Sequence, residues 1–426
     1  MIIHVVSSGD SIYSIAQRYN VTPESIIQAN ELRDPSRLAV GQALVILMPD
    51  EIYTVQPGDT LVSIARRYGV TVEALLRSNP WLSDNPILEA GQQINISYGT
   101  PPLGEIDING YAYPYIAPEV LRKTLPFLTF ITLFTYGFQP DGTLIPLEGD
   151  EAVINTARGY GTAPLMLIST LGEDGKFSNA LAHAVLNDMD AQNRLITEIL
   201  VTLQEKNYAG LDVDFEYVLP QDREAYVDFI RNLRSRLAPE GYTVFVALAP
   251  KTSDTQPGLL YEAHDYRALG EAADAVLLMT YEWGYAFGPP MAVAPLNKVR
   301  EVLDYAVTRI PREKIFMGMP NYGYNWTLPF TQGSQAQSLS NVAAVELAIA
   351  QNAAIEFDET AQSPFFTYYD SERRQHIVWF EDARSVMAKA RLADEYGLRG
   401  VSIWNIMRYF PQNWLVLNAL FSIRKL

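Results

Sequence analysis

Apolar residues recur at helical spacing in two early segments, residues 12–19 and 61–68. In both segments they fall at steps of three and four positions, the pattern of a helix with one buried face. A second helical segment follows each, and short strand-like runs flank each pair. The pattern therefore predicts two consecutive βααβ units, one over residues 2–48 and one over residues 51–97.

The two units form an internal repeat. Gly9–Ser11 matches Gly58–Thr60, and Asn30 matches Asn79. The Asp-Ser and Asp-Thr pairs are favourable helix starts, because their side chains accept hydrogen bonds from the free amides of a first helical turn. A repeat of this kind indicates two copies of one small module.

Because the pattern occurs twice, it is specific, and it resembles the LysM module. The resemblance implies binding to glycans that contain N-acetylglucosamine, such as peptidoglycan or chitin. It places a sugar groove between the first turn and the loop after the second helix. The candidate binding residues are Gly9, Asp10, Ser11, Ile12 and Asn30, and in the second unit Gly58, Asp59, Thr60, Leu61 and Asn79. The alternative is that the Gly-Asp pairs and the asparagines only build turns and caps.

A linker rich in glycine and proline is predicted at residues 98–104. Residues 105–426 then alternate between strand-like and helical patterns, which is typical of a (β/α)₈ TIM barrel in the α/β class. The eight candidate strands are residues 106–113, 127–134, 165–169, 210–215, 243–249, 275–280, 315–320 and 400–404. The candidate helices include residues 180–204, 222–237, 296–309 and 383–395. A small α+β insertion is expected at about 323–380, with a helix at 341–352 and two or three strands in 354–379.

Three acidic residues alternate with apolar ones in the fourth candidate strand, at Asp212, Asp214 and Glu216. Side chains of a strand alternate between faces, so all three carboxylates point the same way. In a barrel that direction is the interior, with Glu216 at the end where active sites form. Crowding beside an ionised Asp214 is expected to raise the pKa of Glu216 and suit it to proton donation. The alternative is an edge strand with an acidic, solvated face.

The acidic segment resembles the DG-x-D-x-D-x-E signature of glycoside hydrolase family 18. Ala209 replaces the first aspartate of that signature. A second family element is matched by Met279-Thr-Tyr281-Glu282, with Glu282 in place of an aspartate, and a third by Trp404 in the eighth strand. The candidate substrate-binding residues of the barrel are therefore Trp404, Glu282, Met279 and, where the insertion begins, Tyr322.

The resemblance also implies a mechanism, in which the substrate's own 2-acetamido group attacks the anomeric carbon with retention of configuration. Glu216 would protonate the leaving oxygen and then activate water. Asp214 would orient the acetamido group, Asp212 would adjust Asp214, and Tyr281 would bind the acetamido oxygen. No cofactor and no metal are implied.

The amino-acid composition narrows the classes of molecule that this protein is expected to bind. The net charge is −17, which disfavours nucleic acid and anionic membranes. There is no cysteine, and the four histidines show no metal-ligand spacing, so we expect no metal site. The longest apolar stretch, residues 125–138, is too short to span a bilayer. No classical signal peptide is visible at the N-terminus.

Repeats of this type on such a barrel resemble the cortical-fragment lytic enzymes of spore-forming bacteria, which are N-acetylglucosaminidases. That resemblance implies a peptidoglycan hydrolase of the spore cortex, located in the spore coat or cortex or in the cell wall. Two alternatives stay open, a chitinase and a non-catalytic glycan-binding or spore-coat protein on a chitinase-like barrel. The bond cleaved, the preferred chain length and the oligomeric state do not follow from the sequence.

Overall fold

The computed structural model describes residues 1–83, 86–98, 102–172 and 175–426. Each N-terminal unit is a βααβ module with one antiparallel strand pair, as predicted. The first consists of β1 (Ile2–Val5), α1 (Ile12–Tyr19), α2 (Pro23–Asn30) and β2 (Ala43–Ile46). The second consists of β3 (Glu51–Thr54), α3 (Leu61–Tyr68), α4 (Val72–Ser78) and β4 (Gln93–Ser97).

The helices of the modules begin at hydroxyl caps. Ser11 and Thr60 accept hydrogen bonds from the third amide of α1 and α3, and a serine at that position bonds back to each cap. The Thr22 and Thr71 side chains accept a hydrogen bond from the third amide of α2 and α4. These caps satisfy amides that a helix leaves unpaired, so they fix where each short helix starts.

Eight parallel strands close into a barrel, which confirms the predicted α/β architecture. They are β5 (Gly104–Ala112), β6 (Phe130–Phe138), β8 (Ala163–Ser169), β9 (Gly210–Asp214), β10 (Thr243–Leu248), β11 (Ala275–Leu278), β12 (Ile315–Pro320) and β18 (Gly400–Trp404). Two short strands extend the sheet, β7 (Leu144–Ile145) beside β6 and β19 (Phe421–Ile423) beside β5. Of the predicted linker, Gly104 already belongs to β5, and residues 99–101 lie outside the described residues.

Helices cover the outside of the barrel. They are α5 (Pro118–Thr124), α6 (Asp150–Gly159), α7 (Asn179–Leu186), α8 (Met189–Lys206), α9 (Arg223–Leu237), α10 (Tyr266–Ala272), α11 (Leu296–Ala306), α13 (Ala383–Glu395) and α14 (Pro411–Leu420). The single helix predicted over residues 180–204 is wrong. Its chain breaks at Asn187, and Asp188 caps the new helix α8 through its side chain.

The insertion between β12 and α13 is a five-stranded antiparallel sheet with one helix. Its strands are β13 (Gly323–Leu328), β14 (Gln337–Leu339), β15 (Glu356–Asp358), β16 (Ser363–Tyr369) and β17 (Gln375–Trp379), and its helix is α12 (Asn341–Ala350). The last three strands and the helix were predicted. The first two were not, although Tyr324, Trp326 and Leu328 of β13 alternate with small or polar residues.

The first module is packed directly against the barrel and the insertion. Ala43 and Val45 of β2 belong to the same buried apolar cluster as the outer layer of the barrel. The amide of Gln412 in α14 donates to the Ala43 carbonyl at 2.7 Å, and the backbone of Ile355 bonds Val40 at 2.8 Å. Gly41 follows, and it accepts from the Arg384 guanidinium. The module is therefore a docked part of the fold.

The second module contacts the barrel through fewer groups. Arg77 of α4 donates to Asn418 at 3.0 Å and to the Pro126 carbonyl at 3.2 Å. Tyr160 packs partly against the core of this module. The corresponding glycine, Gly91, is open on its Cβ side, with no atom within 4 Å.

Substitution of alanine at Gly41 and Gly91 tests the docking of the first module. Both glycines have positive φ, +82° and +90°, so alanine at either should cost about 1–2 kcal/mol of backbone strain. A Cβ on Gly41 would also lie 1.8 Å from the Ile355 carbonyl oxygen. We expect Gly41→Ala to lower the free energy of unfolding by at least about 1 kcal/mol more than Gly91→Ala. Equal losses in denaturant titrations would show that the contact with Ile355 is not formed in solution.

Candidate active site

A cavity of about 790 Å³ opens at the carboxyl ends of the barrel strands. Aromatic side chains form much of its wall. They are Tyr111, Tyr113, Tyr115, Phe134, Phe177, Tyr281, Tyr322, Tyr324 and Trp404. The rings of Tyr113 and Tyr115 stack at 5.2 Å between centroids. A cavity of this size, with apolar faces and a few polar groups, fits a sugar chain.

The acidic residues of β9 face this cavity from inside the barrel. Asp212 pairs in register with Phe245 and Leu167, both of which belong to the apolar cluster that fills the barrel interior. Asp214 and Glu216 follow on the same face and line the cavity. The prediction that all three carboxylates point inward is thus confirmed, and the edge-strand alternative is wrong.

Asp212 lies deepest and is fully buried. One of its oxygens accepts a hydrogen bond from the Tyr111 hydroxyl at 2.8 Å, and the other has no hydrogen-bond partner among the described residues. One oxygen of Asp214 is likewise buried and without a partner in the described chain. Buried carboxyl oxygens without partners favour the protonated, neutral form.

Burial raises the pKa of all three carboxyl groups. Burial raises the pKa of Asp212 to about 7, although the hydrogen bond from Tyr111 acts to lower that pKa. It raises the pKa of Asp214 well above its usual value, with the charges of Glu216 and Asp212 adding to the effect. The pKa of Glu216 is raised to about 7, first by burial and then by the charge of Glu282. The expected rise at Glu216 is therefore present, with burial as its largest cause, and the charges of Glu216 and Asp214 also act on each other.

The remaining predicted barrel residues also meet at the cavity. Met279, Tyr281 and Trp404 line it, and the Trp404 ring makes edge contacts with Tyr111 and Phe134 at 5.3 and 5.1 Å. Tyr281 is half-buried, and loss of hydration raises its pKa well above the usual value.

Glu282 is held by two hydroxyl groups from the insertion. Tyr322 and Tyr324 both donate to it, Tyr324 at 3.0 Å to Oε1. Glu282 has a positive φ of 67°, a backbone conformation that residues other than glycine seldom adopt. These contacts tie the insertion to the cavity and keep a carboxylate close enough to Glu216 to affect its pKa.

In the modules, the predicted binding residues are engaged by the fold itself. Asn79 is fully buried, and its amide bonds the backbone of Leu75 and Asn95. Asn30 makes the same bonds to Ile26 and Val45.

The predicted binding residues in the first turn of each module also make contacts that stabilise the module itself. Asp10 and Asp59 accept from backbone amides within their turns, while Ser11 and Thr60 cap helices. Ile12 and Leu61 are core residues, and Gly9 and Gly58 supply the positive φ of the turns. Glycan binding at these positions stays a prediction.

Sequence reasoning missed several residues of the cavity. Tyr111 and Tyr113 alternate at the end of β5, a signal that matches the acidic alternation in β9. Tyr322 directly precedes β13 and Tyr324 lies within it, two positions later, and both hydroxyls donate to Glu282. Arg408 carried no sequence signal, and it is the one cation among the described residues that line the cavity.

Two further observations bear on cofactors and membranes. Within the described residues, no three histidine, aspartate or glutamate side chains come together as metal ligands. In that same part of the chain, no helix has both the length and the apolar character needed to cross a bilayer.

Comparison with known families and proteins agrees with this geometry. The profile described as Glycosyl hydrolases family 18 matches residues 163–408, and the LysM domain matches residues 4–47 and 53–97. The chain is 44% identical to the "Cortical fragment-lytic enzyme" of Bacillus subtilis strain 168, over 100% of this chain and 99% of that protein. It is also 44% identical to the protein of that name from Bacillus anthracis, over 99% of both.

Solved structures show the same relationship. The crystal structure of the Bacillus cereus spore cortex-lytic enzyme SleL superimposes with a TM-score of 0.85 at 42% identity, covering 100% of this chain and 98% of that one. A chitinase from Chromobacterium violaceum superimposes with a TM-score of 0.68 at 28% identity, covering 74% of this chain and 98% of that one.

Replacement of Glu282 by glutamine tests the electrostatic contact with Glu216. Its charge raises the pKa of Glu216, so its removal should lower that pKa from about 7 toward the usual value. Titration of the Glu216 carboxyl carbon by NMR in wild type and Glu282→Gln measures the shift directly. An unchanged or higher pKa would show that burial alone sets it. Glu224→Gln, at an exposed site in α9, is the control for the loss of one charge.

Proposed function

Since the chain belongs to glycosyl hydrolase family 18 and carries two LysM domains, we propose that it hydrolyses spore-cortex peptidoglycan next to N-acetylglucosamine. It is a glycoside hydrolase, and its domains indicate glycan binding. The observation that carries the proposal is Glu216, a carboxyl group with a pKa near 7 at the wall of a sugar-sized cavity. Such a group donates and accepts protons readily near neutral pH.

The proposed reaction uses the substrate's own acetamido group, with retention of configuration. Glu216 protonates the leaving oxygen and later removes a proton from the attacking water. Asp214 accepts the acetamido N–H, and Tyr281 donates to the acetamido oxygen. Asp212 holds the proton that Asp214 releases or takes up, which its own raised pKa supports. Met279 and Trp404 form the apolar surface under the sugar.

Peptidoglycan is favoured over chitin as the substrate for two reasons. Relatives with full-length similarity include proteins named for cortical fragments or the spore cortex. Arg408, with an exposed side chain at the cavity, offers a cation to carboxylates such as those of muramic acid, which chitin lacks. A non-catalytic glycan-binding protein is disfavoured because Glu216 is retained. By the same likeness, we propose a location in the spore or its wall.

Digestion of purified spore cortex tests the function. The wild-type chain should release fragments with N-acetylglucosamine at the reducing end, identified by mass spectrometry, and should release them faster than it cleaves chitin oligosaccharides. Glu216→Gln should lower turnover by at least ~10²-fold, because only proton transfer is lost. Reducing-end muramic acid would identify a muramidase instead. Activity of Glu216→Gln within a few-fold of wild type would remove Glu216 as the acid.

A thiazoline analogue of N-acetylglucosamine tests the mechanism. It mimics the cyclic intermediate formed by the acetamido group, so it should inhibit competitively and bind at least ~10²-fold more tightly than the parent sugar. Asp214→Asn should weaken this inhibitor as well as slow turnover. Trapping of a fluoro-sugar on Asp214, detected by mass spectrometry, would instead indicate a covalent enzyme nucleophile.

A further inference from the structure

Glu216 lies just beyond the part of β9 that pairs with the neighbouring strands. The register of β9 with β10 ends at Val213, and its register with β8 ends at Asp214. Phe215 and Glu216 follow without strand pairing, and Tyr217 then turns the chain with a positive φ of 57°. The backbone that carries Glu216 therefore needs support from outside the sheet.

His264 supplies a contact at this corner. It lies in the loop between β10 and α10, is 1% exposed, and its Nε2 is 3.1 Å from the carbonyl oxygen of Phe215. Phe215 is the residue directly before Glu216. The ring of Phe215 faces outward and stacks on Tyr226 and Phe229, so its carbonyl is the group that faces the histidine.

The other ring nitrogen of His264 is fixed as well. The backbone amide of Ala249, just after β10, donates to Nδ1 at 2.9 Å. Nδ1 therefore carries a lone pair, and the proton of the neutral ring is on Nε2, from which it is donated to Phe215. Burial lowers the pKa of His264 to about 4, which keeps this neutral form at ordinary pH.

The loop that carries His264 is itself anchored. The Lys251 ammonium donates to the His264 carbonyl at 2.9 Å, and the Tyr266 hydroxyl donates to the Ala249 carbonyl at 2.6 Å and accepts from the Lys251 amide. Among ionisable groups, the Tyr226 ring lies 6.0 Å from the imidazole between centroids, and the Lys251 charge acts to lower the pKa of His264. The end of β10 thus forms a rigid base from which the imidazole reaches across to the end of β9.

We propose that His264 is a positioning residue, which fixes the backbone at Phe215 and so holds Glu216 at the depth required for proton transfer. It touches neither substrate nor reacting atoms in this role. The proposal rests on the function proposed above for Glu216. Because a displacement of about 1 Å in a catalytic group can cost ~10²-fold in rate, loss of one such bond is measurable.

Two substitutions separate the contacts of the ring. Glutamine at position 264 can extend its amide N–H to the Phe215 carbonyl, whereas asparagine is too short for that bond and can only accept from Ala249. With the full chain and a 4-methylumbelliferyl glycoside of an N-acetylglucosamine oligomer, we expect His264→Asn to lower kcat by about 10- to 100-fold with KM within about threefold. We expect His264→Gln to keep kcat within about fivefold of wild type.

The pH profile gives a readout that stability alone does not move. In His264→Asn, Glu216 is expected to become less buried, so the alkaline fall of kcat/KM should move to lower pH. Tyr305→Phe removes a hydrogen bond to Asp254 in the same loop without removing any hydrogen bond of Ala249, Lys251 or His264, and it is the matched control. It should lower Tm but keep the pH profile of wild type.

The outcomes decide as follows. Equal kcat losses in the asparagine and glutamine variants, or a wild-type pH profile in folded His264→Asn, would overturn the proposal. If His264→Asn does not fold, the glutamine variant decides, since a loss of kcat above tenfold in folded His264→Gln contradicts it. Equal turnover by wild type and Glu216→Gln would instead overturn the proposed function, which is a separate result.

Discussion

Carboxyl groups inside the barrel lose the hydration that stabilises their charge, and the segment around β9 places three of them there in succession. Asp212 keeps one hydrogen bond, from Tyr111, and Asp214 keeps a buried oxygen with no partner in the described chain. Asp214 and Glu216 both line the cavity, and of the three only Glu216 is partly exposed rather than buried. The cost of burying charge therefore raises the pKa of all three carboxyl groups, to about 7 at Asp212 and Glu216, and the rest of the site is arranged around them.

Inside the barrel, the apolar side chains and the polar side chains of the site occupy different levels. Phe130, Phe245 and Phe316 fill the lower interior, and the Arg399 guanidinium lies over all three rings at 5.3 to 5.8 Å. The carboxyl groups and tyrosines are left to the upper end. The insertion then adds two hydroxyl groups that fix Glu282, so a segment outside the barrel sets part of the field at Glu216.

Periodicity in the sequence was enough to predict the modules, the eight strands and the inward direction of the acidic residues. These features depend on local alternation, which a single chain displays directly. The break at Asn187 was missed because both halves of the helix keep an apolar face, and the cap at Asp188 is an ordinary residue in a helical pattern. Contacts between segments that are distant along the chain produce no pattern in a single sequence. His264 was not among the predicted site residues, and its bond to Phe215 depends on how two loops meet.

The docking of the first module also bears on how a polymer is engaged. A module on a flexible tether loses orientational freedom each time both it and the cavity hold the same chain. Here the backbone bond between Ile355 and Val40 and the close approach at Gly41 fix the module when the protein folds. That loss of freedom is incurred once, during folding. Under the proposed glycan binding, the module and the cavity would act as two rigidly connected contacts with a constant separation, so they would hold a bound strand at one fixed interval along its length.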